Sequence, residues 1–105
     1  DGPHGGTVKK AGEYHIEMKN PGGGLYAFLL DQNKKPLSNK GIACKAKLFF
    51  PDNTSSDADF LSYGADGFFI ELIPRYYVSC MIIFNVAGKT VSAEFENETL
   101  FVETK

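Results

Sequence analysis

Charge of one sign is what this sequence most lacks. Eleven Lys and Arg stand against thirteen Asp and Glu, a formal charge of −2 at pH 7. The basic residues are dispersed apart from the pairs Lys9-Lys10 and Lys34-Lys35. Without a basic face to neutralise phosphates, nucleic acid is not an expected partner. No apolar run approaches the roughly 20 residues that span a bilayer, so no transmembrane segment is expected. Histidine is scarce: His4 and His15 are the only two, and no nucleophile elbow accompanies them. The chain is therefore not expected to be an enzyme. Cysteine is equally sparse. Cys44 and Cys80 lie far apart and neither belongs to a CxxC, which excludes a thiolate metal motif. A disulfide and two buried thiols both remain open. Convincing helical periodicity is absent from the whole chain.

What is present is apolar and alternating. Hydrophobic residues make up 43% of 105 residues, with nine Phe and five Tyr, enough for the core of one domain. Glu13 to Lys19 alternates with a period of two: Tyr14, Ile16 and Met18 face one way, and Glu13, His15, Glu17 and Lys19 the other. Leu25 to Leu30 is apolar on both faces, as in a central strand covered on both sides. Gly41 to Leu48 alternates again. Phe60 to Tyr63 and Gly67 to Leu72 flank Gly64-Ala65-Asp66-Gly67 as a hairpin. Tyr76 to Val86 is the longest expected strand, with Val78, Cys80, Ile82 and Phe84 on its inner face and Tyr77 outside. Thr90 to Phe95 and Thr99 to Val102 follow, and the polar stretch Pro51 to Asp59 reads as a loop. Its Asp57 and Asp59 lack the ordered spacing of a calcium loop.

Short strands at this spacing predict an all-β fold, an immunoglobulin-like or transthyretin-like antiparallel β-sandwich of seven to eight strands. Residues 7–105 are expected to form this single domain. Residues 1–6, with three Gly and a Pro, are expected to be a flexible N-terminal arm. The predicted core is Tyr14, Ile16, Phe28 or Leu29, Leu48, Val78, Ile82 and Phe84.

Chemistry is concentrated near the amino terminus. His15 and Glu17 share a strand face with Cα atoms about 6.6 Å apart, so both can reach one ion. A turn centred on Ala11 places Val8 opposite Tyr14 and His4 near Met18. Gly5-Gly6 then lets the arm swing His4 toward Glu17. Two imidazoles and a carboxylate are a ligand set for zinc, nickel or copper(II). The competing reading is a solvated His beside a solvated Glu. An amino-terminal copper motif is excluded, because Pro3 before His4 supplies no amide proton.

His4-Gly5-Gly6-Thr7-Val8, then Gly12-Glu13-Tyr14-His15-Ile16-Glu17, resembles a His-Gly-Gly pattern of small exported domains associated with heavy-metal efflux. Those include N-terminal portions of periplasmic adaptor proteins. Leu25-Tyr26-Ala27-Phe28-Leu29-Leu30-Asp31 with Lys35-Pro36-Leu37 is similar to them too. The likeness covers roughly the first forty residues. It implies export to the periplasm or to a lipid-anchored place on the cell envelope, an efflux-pump or other envelope protein as partner, and metal handling by His4, His15 and Glu17. Met-rich copper motifs, an adaptor coiled coil and a lipoyl-type segment are all missing, so a pump role is not expected. The expected function is a small metal-binding chaperone, buffer or sensor with a zinc or copper ion as cofactor. The alternative is a non-catalytic structural or protein-interaction module without metal, which exposed Tyr77 or Phe69 would favour.

Overall fold

The structure, a computed structural model, describes residues 1–21, 23–71 and 77–97. Among the described residues lie nine strands: β1 (Thr7–Ala11), β2 (Tyr14–Lys19), β3 (Gly24–Leu30), β4 (Ala43–Phe49), β5 (Ser55–Asp59), β6 (Leu61–Tyr63), β7 (Gly67–Glu71), β8 (Ser79–Val86) and β9 (Lys89–Glu96). Five make one sheet in the order β1-β2-β3-β7-β6, and four make the other, β5-β4-β8-β9. The all-β sandwich of antiparallel sheets is thus the observed fold, with more strands than expected. One addition is β5, placed where a polar loop was expected. It is an edge strand whose residues are nearly all exposed, so its burial imposes no alternation that the sequence could carry. The expected strand over 99–102 lies outside the described residues. No helix among the described residues is long and apolar enough to cross a membrane.

The inner faces follow the period of two. Ile16 pairs with Leu29 and Met18 with Ala27, and Ala27 in turn pairs with Phe68. All of these are buried together with Leu48, Ile82, Phe84 and Phe95 from the second sheet. Tyr14 packs on the margin of this core. The expectation for Val78 and Tyr77 is reversed: Val78 is 38% exposed and Tyr77 is 2% exposed. Alternation breaks just before β8, because Tyr77, Ser79 and Cys80 are all buried. Tyr77 stays inside because its polar groups are satisfied there. Its hydroxyl accepts from Asn20 Nδ2 at 2.7 Å, and its carbonyl accepts from Asn97 Nδ2 at 3.0 Å. Burial pushes the Tyr77 hydroxyl well above its ordinary pKa.

The register of the first hairpin is shifted by three residues from what a turn centred on Ala11 would give. Ala11 pairs with Tyr14 and Val8 with Glu17, leaving Gly12-Glu13 as a two-residue connection. Gly12 has φ +64°, which the primed turns of tight hairpins require and glycine adopts without strain. The odd shift puts Val8 on the same face as Glu17 rather than beside Tyr14. On the far side, only Phe60 separates β5 from β6, and the chain changes sheets there. Phe60 is buried, and its N–H donates to the Cys44 carbonyl at 2.9 Å.

The cysteines sit on neighbouring strands, but Cys80 pairs with Leu48 and Cys44 with Phe84. Four residues of strand separate the two positions along the ladder, about 13 Å at strand rise. That exceeds the roughly 7 Å that a disulfide can bridge. Both are free and buried. Burial pushes the Cys80 thiol up to about 12 and the Cys44 thiol higher still. The folded protein is therefore expected to resist thiol labelling at neutral pH, and to yield two free thiols on denaturation even after growth under oxidising conditions. Quantitative labelling before and after unfolding checks this, and a missing pair of thiols after unfolding would contradict the register.

Candidate functional site

The outward face of the five-stranded sheet carries His15, Glu17 and Lys19 on β2, with Tyr26 and Phe28 beside them on β3 and Phe69 on β7. Strand alternation dictates this placement. What it does not dictate is that Glu17 is fully buried there. Residues 1–6, expected as a flexible arm, fold back over that face as a closed turn. Gly5 N–H donates to the Gly2 carbonyl at 2.9 Å, and Gly2 N–H to the Gly6 carbonyl at 3.0 Å. The arm then grips Glu17. Oε2 accepts from the His4 backbone N–H at 2.9 Å and from the Gly6 N–H at 2.7 Å, while Oε1 meets His4 Nδ1 at 2.7 Å.

The two glycines make that grip possible. Gly5 has φ +81°, a backbone conformation that side chains disfavour. At Gly6 a Cβ would stand 2.6 Å from the Met18 carbonyl oxygen, a backbone atom that cannot move aside. The pattern His-Gly-Gly is thus a steric and hydrogen-bonding requirement for seating an imidazole and two amides on one buried carboxylate.

His4 lies flat on Phe28, with ring centroids 3.7 Å apart and planes inclined by 8°. Phe28 points outward, yet the imidazole leaves it only 6% exposed. The other ring nitrogen, Nε2, is 3.0 Å from Asp66 Oδ2 in the turn between β6 and β7. A carboxylate oxygen therefore faces each nitrogen, whereas a neutral imidazole carries only one proton. Donating to both carboxylates at once takes a proton on each ring nitrogen, the imidazolium form. Burial lowers the pKa of His4, but the hydrogen bonds and charges of Glu17 and Asp66 outweigh that effect, and the net displacement is upward from 6.5.

His15 is elsewhere. It pairs with Lys10 and Leu30, and its Nδ1 is 3.1 Å from the Asp31 carbonyl oxygen. It lines a separate cleft with Lys10, Glu13 and Gln32. The structure brings His4 and Glu17 together but does not bring His15 to them. Among the described residues no group of three or more His, Cys, Asp or Glu is arranged to hold a metal ion. The His4, His15, Glu17 set does not fit a metal as a first coordination shell, because Glu17 already serves three donors and His15 faces a different cleft. Sequence reasoning missed Asp66 and Phe28. Asp66 read as turn punctuation and Phe28 as one side of a doubly covered strand, and no local signal linked either to His4.

A groove beside His4 is lined by Lys19, Tyr26, Phe28, Tyr63 and Asp66. Tyr63 packs edge-on against Tyr26 with centroids 5.1 Å apart, and Tyr26 lies 4.8 Å from Phe69. Tyr63 is 52% exposed and Leu61 73%, both outward from the short edge strand β6. Comparison of this chain with protein-family models, with curated proteins and with solved structures finds no match.

The clasp has two measurable consequences. Glu17→Ala leaves two amides without their acceptor and an imidazole without its partner, and is expected to destabilise the fold by about 3 kcal/mol in chemical denaturation. His4→Gln should lose a contribution that depends on pH. Because the folded pKa of His4 lies above its unfolded value, that contribution is fully present below about pH 6.5 and disappears as pH rises through the folded value. Wild type and variant should therefore differ most in mildly acidic buffer, and the difference should shrink on the alkaline side to the part that the Phe28 stacking and the Nδ1 contact supply.

Proposed function

We propose that this chain is a small, exported, non-catalytic metal-acceptor module of a heavy-metal handling system, with His4 Nε2 and Asp66 as its donors. The observation that carries the reading is the order Glu17, His4, Asp66. A buried carboxylate holding Nδ1–H fixes the imidazole tautomer and aims Nε2 outward, the arrangement that supports ligating histidines in metal sites. Asp66 Oδ2, 3.0 Å from Nε2, is near the spacing of two ligands on one zinc ion, about 3.3 Å for bonds of about 2.0 Å in a tetrahedron. In this reading a metal ion takes the place of the proton that joins Nε2 to Asp66. The resemblance of the first forty residues to efflux-associated domains supports the same chemistry and an envelope protein as the eventual recipient.

Zinc and copper(II) suit an imidazole and a carboxylate. Two protein donors leave coordination positions open, which suits transfer better than storage. In this reading Glu17 orients His4, and His15 takes no part. Calorimetric titration of zinc at neutral pH is expected to show binding that His4→Gln and Asp66→Asn abolish and that His15→Ala leaves unchanged. Binding should weaken as pH falls, because protons compete for Nε2. No binding at micromolar zinc or copper(II), or loss of binding in His15→Ala alone, would overturn the reading. The interaction module without metal would then take its place. That second reading has its own support in the exposure of Leu61 and Tyr63 on an edge strand, although Tyr77, once a candidate for such a surface, is buried.

A further inference from the structure

The described residues cover the outward face of the five-stranded sheet only in part. The arm lies over Glu17 and Phe28. Beside it runs an open cross-strand row: Lys19 on β2, Tyr26 on β3, Phe69 on β7 and Leu61 on β6, each paired with the next. Tyr63 leans across this row, its ring centroid 5.1 Å from that of Tyr26 and 6.4 Å from that of Phe69. Phe69 lies over Gly24, where a Cβ would stand 2.5 Å from the ring. The rings therefore make a shallow aromatic bed, and its outer members, Leu61 and Tyr63, are the most exposed large apolar side chains among the described residues.

The groove beside this bed has a volume of about 450 Å3, within the range of ligand sites. Its polar groups are unequally engaged. Asp66 Oδ2 meets His4 Nε2, and the Gly64 carbonyl accepts from Asn39 Nδ2. The donors are free by contrast. Among the described residues, the Lys19 ammonium and the Tyr26 and Tyr63 hydroxyls meet no acceptor.

We propose that this groove binds a proline-rich segment of another protein in the polyproline II conformation, with an acidic residue at the Lys19 end. Proline has no N–H to satisfy, so a run of prolines brings carbonyl acceptors alone, the complement of a groove with donors to spare. Its rings pack on tyrosine faces, and its helix is preformed, so little conformational entropy is lost on docking. The span agrees. From β2 to β6 the groove crosses three strand spacings, about 14 Å, which about five residues of polyproline II cover at about 3.1 Å each. Charge selects the end for the acidic residue, because Asp66 is already matched by His4 and Lys19 is not. A sugar would stack on the same rings, but every hydroxyl also brings a donor, and free acceptors are few here. The inference goes beyond the metal-acceptor reading and does not depend on it, since the contacting groups are not the donors of that pair.

The test is calorimetry and two-dimensional NMR of the whole chain with an oligoproline peptide flanked by aspartates. The expected result is saturable one-to-one binding, with shifts gathered at Lys19, Tyr26, Tyr63 and Phe69. Tyr63→Ala, at an exposed edge position, should weaken binding about tenfold while circular dichroism stays that of the wild type. Lys19→Met should bind the aspartate peptide and its asparagine counterpart equally, whereas the wild type prefers aspartate. Equal binding of a glycine-serine peptide with the same aspartates overturns the inference. So does the absence of shifts at millimolar peptide, unchanged affinity in Tyr63→Ala, or occupation of the groove by maltotriose in place of the proline peptide. Each of these results leaves zinc binding, measured separately, to decide the metal-acceptor reading.

Discussion

A carboxylate with no contact with water has to find its donors within the protein. Glu17 finds them in six residues that would otherwise have no reason to be ordered. Two backbone amides and an imidazole converge on its two oxygens at 2.7 to 2.9 Å. Hydrogen bonds to a charged acceptor are among the stronger ones in proteins, and leaving such a group buried and unpaired is among the larger penalties. The rest of the site depends on this constraint. It fixes the path of the arm, lays His4 over Phe28, closes the outer face of the five-stranded sheet and aims Nε2 at Asp66. Without Glu17 the sheet would present an exposed phenylalanine and the arm would have nothing to fold onto.

Much of the fold was legible because it is written in alternation. Ile16, Leu29, Leu48, Ile82 and Phe84 are core residues as expected, and the hairpin around Gly64 to Gly67 lies where its turn residues placed it. The misreadings share a cause. A period of two tells which residues face together, not where the period breaks, and it breaks just before β8, where Tyr77 and Val78 exchange roles. It is also silent about edge strands such as β5, whose polar residues need not alternate. The site was legible in half. Outward placement of Glu17 follows from its strand, and Gly5-Gly6 signals an arm able to bend. That the outer face is covered, and that Asp66 reaches His4 from 62 residues away in sequence, are tertiary facts with no local signature. His15 was grouped with Glu17 by spacing alone, whereas the Asp31 carbonyl decides where its imidazole goes.

The same geometry governs the proton on His4. An imidazole held at Nδ1 by one carboxylate and faced at Nε2 by another favours its doubly protonated form, which is why its pKa is displaced upward. The glycines and the amides seat the arm, and the outward nitrogen meets Asp66.

The central claim is that the arm is locked to Glu17, and native-state hydrogen exchange at the Gly6 amide tests it most directly. Gly6 lies outside every described strand, and its N–H donates to Glu17 Oε2 at 2.7 Å. The account predicts exchange slowed by at least about 100-fold relative to an unstructured glycine, with that protection lost in Glu17→Ala. Exchange at the unstructured rate in the wild-type protein would contradict it.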